Sequence, residues 1–130
     1  MLKNDDDKKK IMVVDDESDQ ILSVKQIFEH EEEYEVISAK NGKECLKMLK
    51  HKIIPDIILL DIMMPKMNGW DVFKRLKEKN EWKDIPVIII TALGSKERLA
   101  YENLFPDDHI EKPYDVVDLK KRVAQILNNN

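Results

Sequence analysis

The 130-residue sequence is poor in residues that cross-link or punctuate a chain: it has one cysteine, three glycines and 6% aromatic residues. The single Cys45 excludes an internal disulfide, and its apolar neighbours Leu46 and Leu49 predict a buried helix position. An excess of positive charge is also missing, because the formal net charge is −4. This balance argues against a nucleic-acid surface and against contact with anionic membranes.

Long apolar stretches are absent as well. The longest, at residues 53–64, is interrupted by Pro55, Asp56 and Asp61 and is too short to span a bilayer. Residues 1–10 are charged rather than apolar, so we expect no signal peptide there. A cytoplasmic, soluble protein with no membrane partner is the expectation.

The sequence does contain several short apolar runs of strand length. Residues 11–14 (IMVV), 57–60 (IILL) and 87–90 (VIII) are continuous runs, which are typical of buried parallel strands. They alternate with segments of helical periodicity, and two further strands are predicted at residues 34–39 and around Ile110. Parallel strands require helical crossovers. The pattern therefore predicts an α/β fold with a five-stranded parallel doubly wound sheet of (βα)5 type.

The pattern also predicts the limits of the elements and of the domain. Ser18 is the expected N-cap of the first helix, and Asn41-Gly42 is expected to start the second. The third and fourth strands are predicted at residues 56–60 and 86–90. The remaining helices are predicted at residues 43–49, 70–76, 96–101 and 116–127. One domain is expected over residues 10–127, with a loose or tag-like tail at residues 1–9 and a short tail at residues 128–130.

A polar residue follows four of the five predicted strands. Asp15 and Asp16 follow the first strand, Asp61 the third, Thr91 the fourth and Lys112 the fifth. Because α/β sheets collect their chemistry at the carboxyl ends of the strands, we expect these side chains to meet at one edge.

Each of these residues also has an ordinary structural explanation. Asp16 could cap a helix, Asp61 could be an exposed turn residue, Thr91 is a normal strand residue and surface lysines such as Lys112 are common. Together, however, they are chemically complementary. Neighbouring carboxylates repel unless a cation such as Mg²⁺ compensates, and a further carboxylate can act as a nucleophile. A hydroxyl and an ammonium can bind phosphoryl oxygens, so phosphoryl chemistry explains the whole set.

Four motifs carry a family resemblance: VVDDE at residues 13–17, LLDIMMPKMNG at 59–69, IITA at 89–92 and IEKPY at 110–114. In this order and spacing they make the chain resemble a receiver domain of the two-component response regulators, similar to a chemotaxis regulator. The resemblance implies the flavodoxin-like receiver fold. It also implies a phosphoacceptor signalling domain rather than an enzyme, with self-catalysed phosphotransfer and autodephosphorylation.

The resemblance implies that Asp61 accepts a phosphoryl group from a histidine kinase. It implies a site for Mg²⁺ (or Mn²⁺) formed by Asp15, Asp16, Asp61 and the backbone carbonyl of Met63. No organic cofactor is implied.

The resemblance assigns further roles around the phosphoacceptor. Thr91 would be the switch hydroxyl and Lys112 the partner of the phosphoryl group, with a cis bond before Pro113. Pro65 and Gly69 match the loop that positions the phosphorylation site.

One position departs from the usual family pattern, and two others are positions where the residue affects how long the phosphoryl group survives. His109 stands three residues before the Lys, where the family usually has Tyr or Phe, so we expect a weaker or pH-sensitive switch. Met63 and Leu93 occupy positions that tune the lifetime of the phosphoryl group, and neither side chain can orient an attacking water.

The expected partners are a sensor histidine kinase or a histidine phosphotransfer protein, and an unknown output partner. The output surface would consist of the fourth helix, fifth strand and fifth helix. We expect no nucleic acid bound by this domain, and either a monomer or a phosphorylation-dependent dimer. A receiver-like binding module that is never phosphorylated and an intermediate in a phosphorelay are the alternatives. A phosphatase of the haloacid-dehalogenase type would need D-x-D, which Asp15-Asp16-Glu17 does not match.

Overall fold

The computed structural model describes residues 7–64, 67–92 and 106–129. Within these ranges strands and helices alternate along the chain. The strands are β1 (Lys9–Val14), β2 (Tyr34–Ala39), β3 (Ile57–Asp61), β4 (Val87–Thr91) and β5 (Asp108–Glu111). The helices are α1 (Ser18–Phe28), α2 (Gly42–Lys50), α3 (Gly69–Glu78) and α4 (Val116–Asn128). The helix predicted at residues 96–101 lies outside the described residues, so α4 corresponds to the fifth predicted helix.

The five strands form one parallel sheet in the order β2-β1-β3-β4-β5. Helices α2 and α3 cover one face, and α1 and α4 cover the other. This confirms the predicted five-stranded doubly wound fold. The chain runs from β1 to the edge strand β2 and returns to β3, so the strand order reverses between β1 and β3. In open α/β sheets, ligands bind at such a reversal, outside the carboxyl ends of the strands.

The apolar runs supply side chains to two cores. In β1, Met12 and Val14 belong to the core under α2 and α3, whereas Ile11 and Val13 belong to the core under α1 and α4. All four are at most 3% exposed, and burying each contributes about 1.5–3 kcal/mol. The same burial holds for Cys45, which lies fully buried in α2, as predicted. Because helices cover both faces of this strand, the residues on both faces are buried and apolar, and the strand appears in the sequence as a continuous apolar run.

Strands β3 and β4 both start and end one residue later than predicted. Asp56 lies just before β3, where its carboxylate accepts a hydrogen bond from the backbone N–H of Lys10 at 2.7 Å. Pro86 precedes β4 and has no N–H to donate to the ladder. Asp61 and Thr91 are consequently the last residues of their strands, so the sheet itself fixes their backbone.

The helix starts were predicted with mixed success. Ser18 as an N-cap is wrong: it is the first residue of α1, and Glu17 occupies the cap position without a side-chain cap bond. The N–H of Glu17 donates to Asp15 Oδ1 at 2.9 Å, and this turn determines where the helix begins. The predicted start of α2 is confirmed, because Asn41 is its N-cap and accepts a hydrogen bond from the N–H of Glu44 at 2.8 Å.

The predicted tails, residues 1–9 and 128–130, each overlap by one residue with the strand or helix next to them. Strand β1 includes Lys9, and α4 extends through Asn128. The division into a domain and two tails stays a prediction. None of the helices in the described ranges is both long and apolar enough to cross a membrane.

Candidate functional site

The carboxyl edge of the sheet brings the predicted site residues together. Asp15 directly follows β1, Asp61 ends β3, Thr91 ends β4 and Lys112 directly follows β5. Two backbone hydrogen bonds extend the sheet into the site. The N–H of Asp15 donates to the Ala39 carbonyl at 3.1 Å, and the N–H of Lys112 donates to the Thr91 carbonyl at 2.7 Å. These bonds hold the site residues on rigid backbone rather than on free loops.

Three carboxylates form a cluster at this edge. Asp15, Asp16 and Asp61 each offer an oxygen, and these oxygens lie within 4.8 Å of one another. Asp15 and Asp61 are only 4% and 5% exposed, while Asp16 is exposed to solvent. Buried carboxylates require a compensating cation or hydrogen bonds. Hard oxygen donors with one side open to water are what Mg²⁺ prefers, so the residues present fit such an ion.

Lys112 is the cation that the described part of the chain places against this cluster. Its Nζ lies 3.1 Å from Asp15 Oδ2 and 3.7 Å from Asp61 Oδ2. Burial alone would lower the pKa of Lys112, but attraction to Asp61 and the hydrogen bond to Asp15 outweigh it and raise the pKa. The ammonium is therefore charged at neutral pH, and one positive charge faces three carboxyl groups. The remaining negative charge can be compensated by a divalent cation.

Asp61 has an unusual carboxyl environment. Burial raises its pKa to about 6, and repulsion from Asp15 and Asp16 acts in the same direction. The hydrogen bond from the Met63 N–H to Asp61 Oδ1, at 3.0 Å, and the charge of Lys112 oppose this rise. The carboxylate is thus mostly ionised at pH 7 but poorly solvated, and such a group gains from binding a cation.

Thr91 and His109 occupy neighbouring strands of the sheet. Thr91 is 3% exposed and pairs in register with Glu111, while His109 pairs with Ile89 and is half-buried. The carbonyl of His109 accepts a hydrogen bond from Arg122 Nη1 of α4 at 3.2 Å. Thr91 therefore ends the strand next to that of Asp61, whereas His109 lies one strand further away, in β5, which this hydrogen bond connects to α4.

Gly69 packs against the end of β3 more closely than any other residue type could. Its N–H donates to the Ile62 carbonyl at 3.1 Å. A Cβ at this position would overlap the Asp61 carbonyl oxygen and lie 2.6 Å from the Ile62 Cα. The loop that resembles the family pattern thus needs glycine for a backbone approach. Pro65, from the same loop, and Leu93 lie outside the described residues, and the bond before Pro113 is cis, as predicted.

Tyr114 and Gln20 are near the site, although no role was predicted for them. They line a cavity of about 10 Å³ together with Asp15, Asp61 and Lys112, among others. That volume is roughly enough for one water molecule. Burial raises the pKa of the Tyr114 hydroxyl, Lys112 lowers it and Asp15 raises it, so this hydroxyl shares the electrostatics of the site. Tyr114 stood in the IEKPY motif, but a motif does not show where a side chain packs.

Comparisons with known proteins place these features in context. Residues 11–124 match the family model of the response regulator receiver domain. The chain is 38% identical over 126 residues to "Probable transcriptional regulator ycf27" of Cyanophora paradoxa, covering 92% of this chain and 48% of that protein. It is 38% identical over 118 residues to "Response regulator RR06" of Streptococcus pneumoniae serotype 2, covering 90% and 52%. The chain thus spans about half the length of the curated relatives it matches.

The solved structures that resemble this chain are also receiver domains. The signal receiver domain of a signal transduction histidine kinase from Syntrophus aciditrophicus superposes with a TM-score of 0.86 at 30% identity, covering 93% of this chain and 91% of that one. A CheY-like response regulator receiver domain protein from Methanospirillum hungatei has a TM-score of 0.83 at 28% identity, covering 94% and 95%.

Proposed function

Because this chain belongs to the response regulator receiver domain family of two-component systems, we propose that it signals by accepting a phosphoryl group on Asp61. The observation that carries the proposal is the strand-end cluster in which Asp61 lies beside two further carboxylates and 3.7 Å from the Lys112 ammonium. A buried carboxylate with an adjacent fixed cation is suited to attack a phosphorus atom and to stabilise the oxygens of the product.

The reaction is a phosphoryl transfer between two residues. An oxygen of the Asp61 carboxylate attacks the phosphorus of a phosphohistidine on a histidine kinase or a histidine phosphotransfer protein. The O–P bond forms, the P–N bond breaks, and the departing imidazole keeps the electron pair and takes a proton from water. Lys112 attracts the phosphoryl oxygens throughout, and the rigid strand end holds the nucleophile in position. The chain itself supplies nucleophile and charge, as expected for self-catalysed transfer and autodephosphorylation.

Asp15, Asp16 and Asp61 would hold Mg²⁺ or Mn²⁺, with the Met63 carbonyl as the further ligand that the family resemblance implies. When bound, the ion supplies positive charge next to the phosphoryl oxygens. Without a cation, the three carboxylates of the cluster would repel the negatively charged phosphoryl oxygens. Phosphorylation of Asp61 should therefore depend on a divalent cation.

Acetyl phosphate tests this proposal without a kinase. Incubation with acetyl phosphate and Mg²⁺ should add one phosphoryl group by intact-mass spectrometry, and Asp61→Asn should abolish the addition. Asp84→Asn removes an exposed carboxylate away from the cluster and is the matched control. Full labelling of Asp61→Asn would exclude Asp61 as the acceptor, and lack of any labelling of the parent would favour a module that is never phosphorylated.

We further propose that Thr91 transmits phosphorylation to an output surface. This surface comprises the predicted helix at residues 96–101, β5 and α4. Arg122 connects the last two elements, because its guanidinium lies 2.8 Å from Asp108 and 3.1 Å from Asp118 and also contacts the His109 carbonyl. Thr91→Ala should still be phosphorylated but lose most of the amide-shift changes in β5 and α4. Equal changes in variant and parent would contradict this role.

The partners follow from the same proposal. A histidine kinase or phosphotransfer protein donates the phosphoryl group in the cytoplasm, and an output partner binds the phosphorylated form, in a monomer or phosphorylation-dependent dimer. Some relatives are named transcriptional regulators, yet this domain covers about half of their length and would not itself bind nucleic acid. Transfer from phospho-Asp61 to a histidine of another protein would instead identify a phosphorelay intermediate.

A further inference from the structure

A second concave surface lies between α2 and α3, away from the acidic cluster. This groove, which we call the α2–α3 groove, encloses about 720 Å³. Its cationic lining residues are Lys43, Lys47 and Lys50 of α2 and Arg75 of α3, all of them exposed. The lysines stand at positions i, i+4 and i+7, so they form one stripe along α2. Arg75 faces this stripe from the neighbouring helix.

The cations of the groove have no carboxylate partners in the described part of the chain. The ion pairs found there involve Lys112, Lys120 and Arg122 instead. Glu44 is the one carboxylate among the described residues that line the groove, and it makes no ion pair within 4.0 Å there. Asp71 and Glu78 line the adjoining concave surface that shares Met67 and Arg75, so the positive charge of the groove is concentrated on the α2 lysines, in a protein whose net charge is −4.

Helix stability accounts for only part of this charge. Lys47 and Lys50 lie in the last turn of α2, and Arg75 lies in the last turn of α3, where positive charge is favourable. Lys43, however, lies in the first turn of α2, where a cation opposes the helix dipole. Its position is unfavourable for the helix but completes the positive stripe of the groove.

The bottom of the groove is apolar. Leu46 is 8% exposed, and the half-buried Met67 packs against the core under α2 and α3. Methionine adapts its shape to varied partners. Among the described lining residues the His51 imidazole is the one ring on which a base could stack, and the overall negative charge repels nucleic acid.

We propose that the α2–α3 groove docks an acidic segment of a partner protein. Its carboxylates would face Lys43, Lys47, Lys50 and Arg75, and an apolar side chain would rest on Met67. A groove between two helices suits an amphipathic helix with one acidic and one apolar stripe. Charge complementarity would give such a contact a strong dependence on salt. The groove residues are not those that carry phosphorylation, so this proposal does not rest on the proposed phosphorylation of Asp61.

The test uses a fluorescein-labelled acidic helical peptide of about 15 residues, with Glu on one face and Leu on the other. The unphosphorylated protein should bind it with a Kd of about 10⁻⁴ M at low salt, a weak interaction measurable by fluorescence anisotropy. Lys43→Glu and Arg75→Glu should each weaken binding about tenfold, equivalent to about 1.4 kcal/mol. Lys121→Glu reverses an exposed charge on α4 and should change the Kd less than about twofold, within the effect of an exposed charge.

Amide shifts should locate the bound peptide on α2 and α3. Equal weakening by the Lys121 control would show binding to overall charge rather than to the groove and would overturn the proposal. So would shifts confined to other elements, or no saturable binding at low salt. Tighter binding of a single-stranded DNA oligomer than of the peptide, lost in the same two variants, would replace the acidic segment by a nucleic acid.

Discussion

Replacing Asp61 with Asn should stabilise the protein at neutral pH when divalent cations are chelated. Burial raises the pKa of Asp61 to about 6, against an ordinary value of 3.8. A raised carboxyl pKa means that the folded state binds more protons than the unfolded state between these two values. The stability of the parent therefore falls as the pH rises through this window and is level above it. The difference of about two pKa units corresponds to about 3 kcal/mol.

Asn lacks the ionised form, so it removes this pH-dependent penalty. Its side-chain oxygen can still accept the hydrogen bond that Asp61 Oδ1 receives from the Met63 N–H at 3.0 Å. We expect the variant to be about 2–3 kcal/mol more stable than the parent at pH 8, with the difference shrinking below about 1 kcal/mol near pH 4. Addition of Mg²⁺ should cancel most of this difference, because an ion that binds the folded parent stabilises it by about 2.7 kcal/mol at a hundredfold excess over Kd.

Urea unfolding in a chelating buffer measures these free energies. Trp70 and Trp82 are 4% and 5% exposed, so their fluorescence should report the loss of the core. Asp84→Asn removes an exposed carboxylate and should shift the unfolding free energy by less than about 0.5 kcal/mol at any of these pH values. If Asp61→Asn were no more stable than the parent at pH 8, the pKa of Asp61 would not be raised in the folded state.

Three further changes probe the surroundings of Asp61. Lys112→Met removes the nearby cation and should raise the pKa of Asp61 beyond about 6, as followed by ¹³C NMR of its carboxyl group; an unchanged or lower value would contradict the pairing. Gly69→Ala should cost about 1–3 kcal/mol of unfolding free energy, because its Cβ meets backbone atoms, and unaltered urea unfolding would disprove that contact. The double variant Met63→Asn and Leu93→Glu should lose its phosphoryl group at least about tenfold faster than the parent, since polar side chains can hold the attacking water. Equal decay rates would show that these positions do not control hydrolysis.

Much of the fold could be predicted because its local signals agree with its global arrangement. The continuous apolar runs became strands buried on both faces, and Asn41 began α2 as expected. The start of α1 was missed because a cap is defined by backbone conformation, and Ser and Glu can both occupy such a position. Here the hydrogen bond from the Glu17 N–H to Asp15 sets the turn, so that Ser18 is already helical.

The sequence predicted which residues form the candidate site, but it did not predict their burial or their pKa values. Parallel strands bring their carboxyl ends together, so Asp15, Asp61 and Lys112 were expected at one edge. Sequence spacing cannot say how far each group is withdrawn from water, and this burial is what raises the pKa of Asp61 to about 6. Contacts between elements are equally invisible in a linear pattern. The close approach of Gly69 to the Asp61 carbonyl depends on how the following loop packs.

The two concave surfaces illustrate how the same sheet topology separates opposite charges. Three carboxylates collect where β1 and β3 end, because the strand order reverses there. The lysine stripe of α2 lies on a crossover helix. The outer face of this helix is exposed, so packing of the core does not restrict its charge. Met67, at the bottom of the α2–α3 groove, belongs to the segment that leads from Asp61 to α3. A partner seated there would contact the segment that joins Asp61 to Gly69, so binding of the partner and phosphorylation of Asp61 should each shift the equilibrium of the other by the same factor.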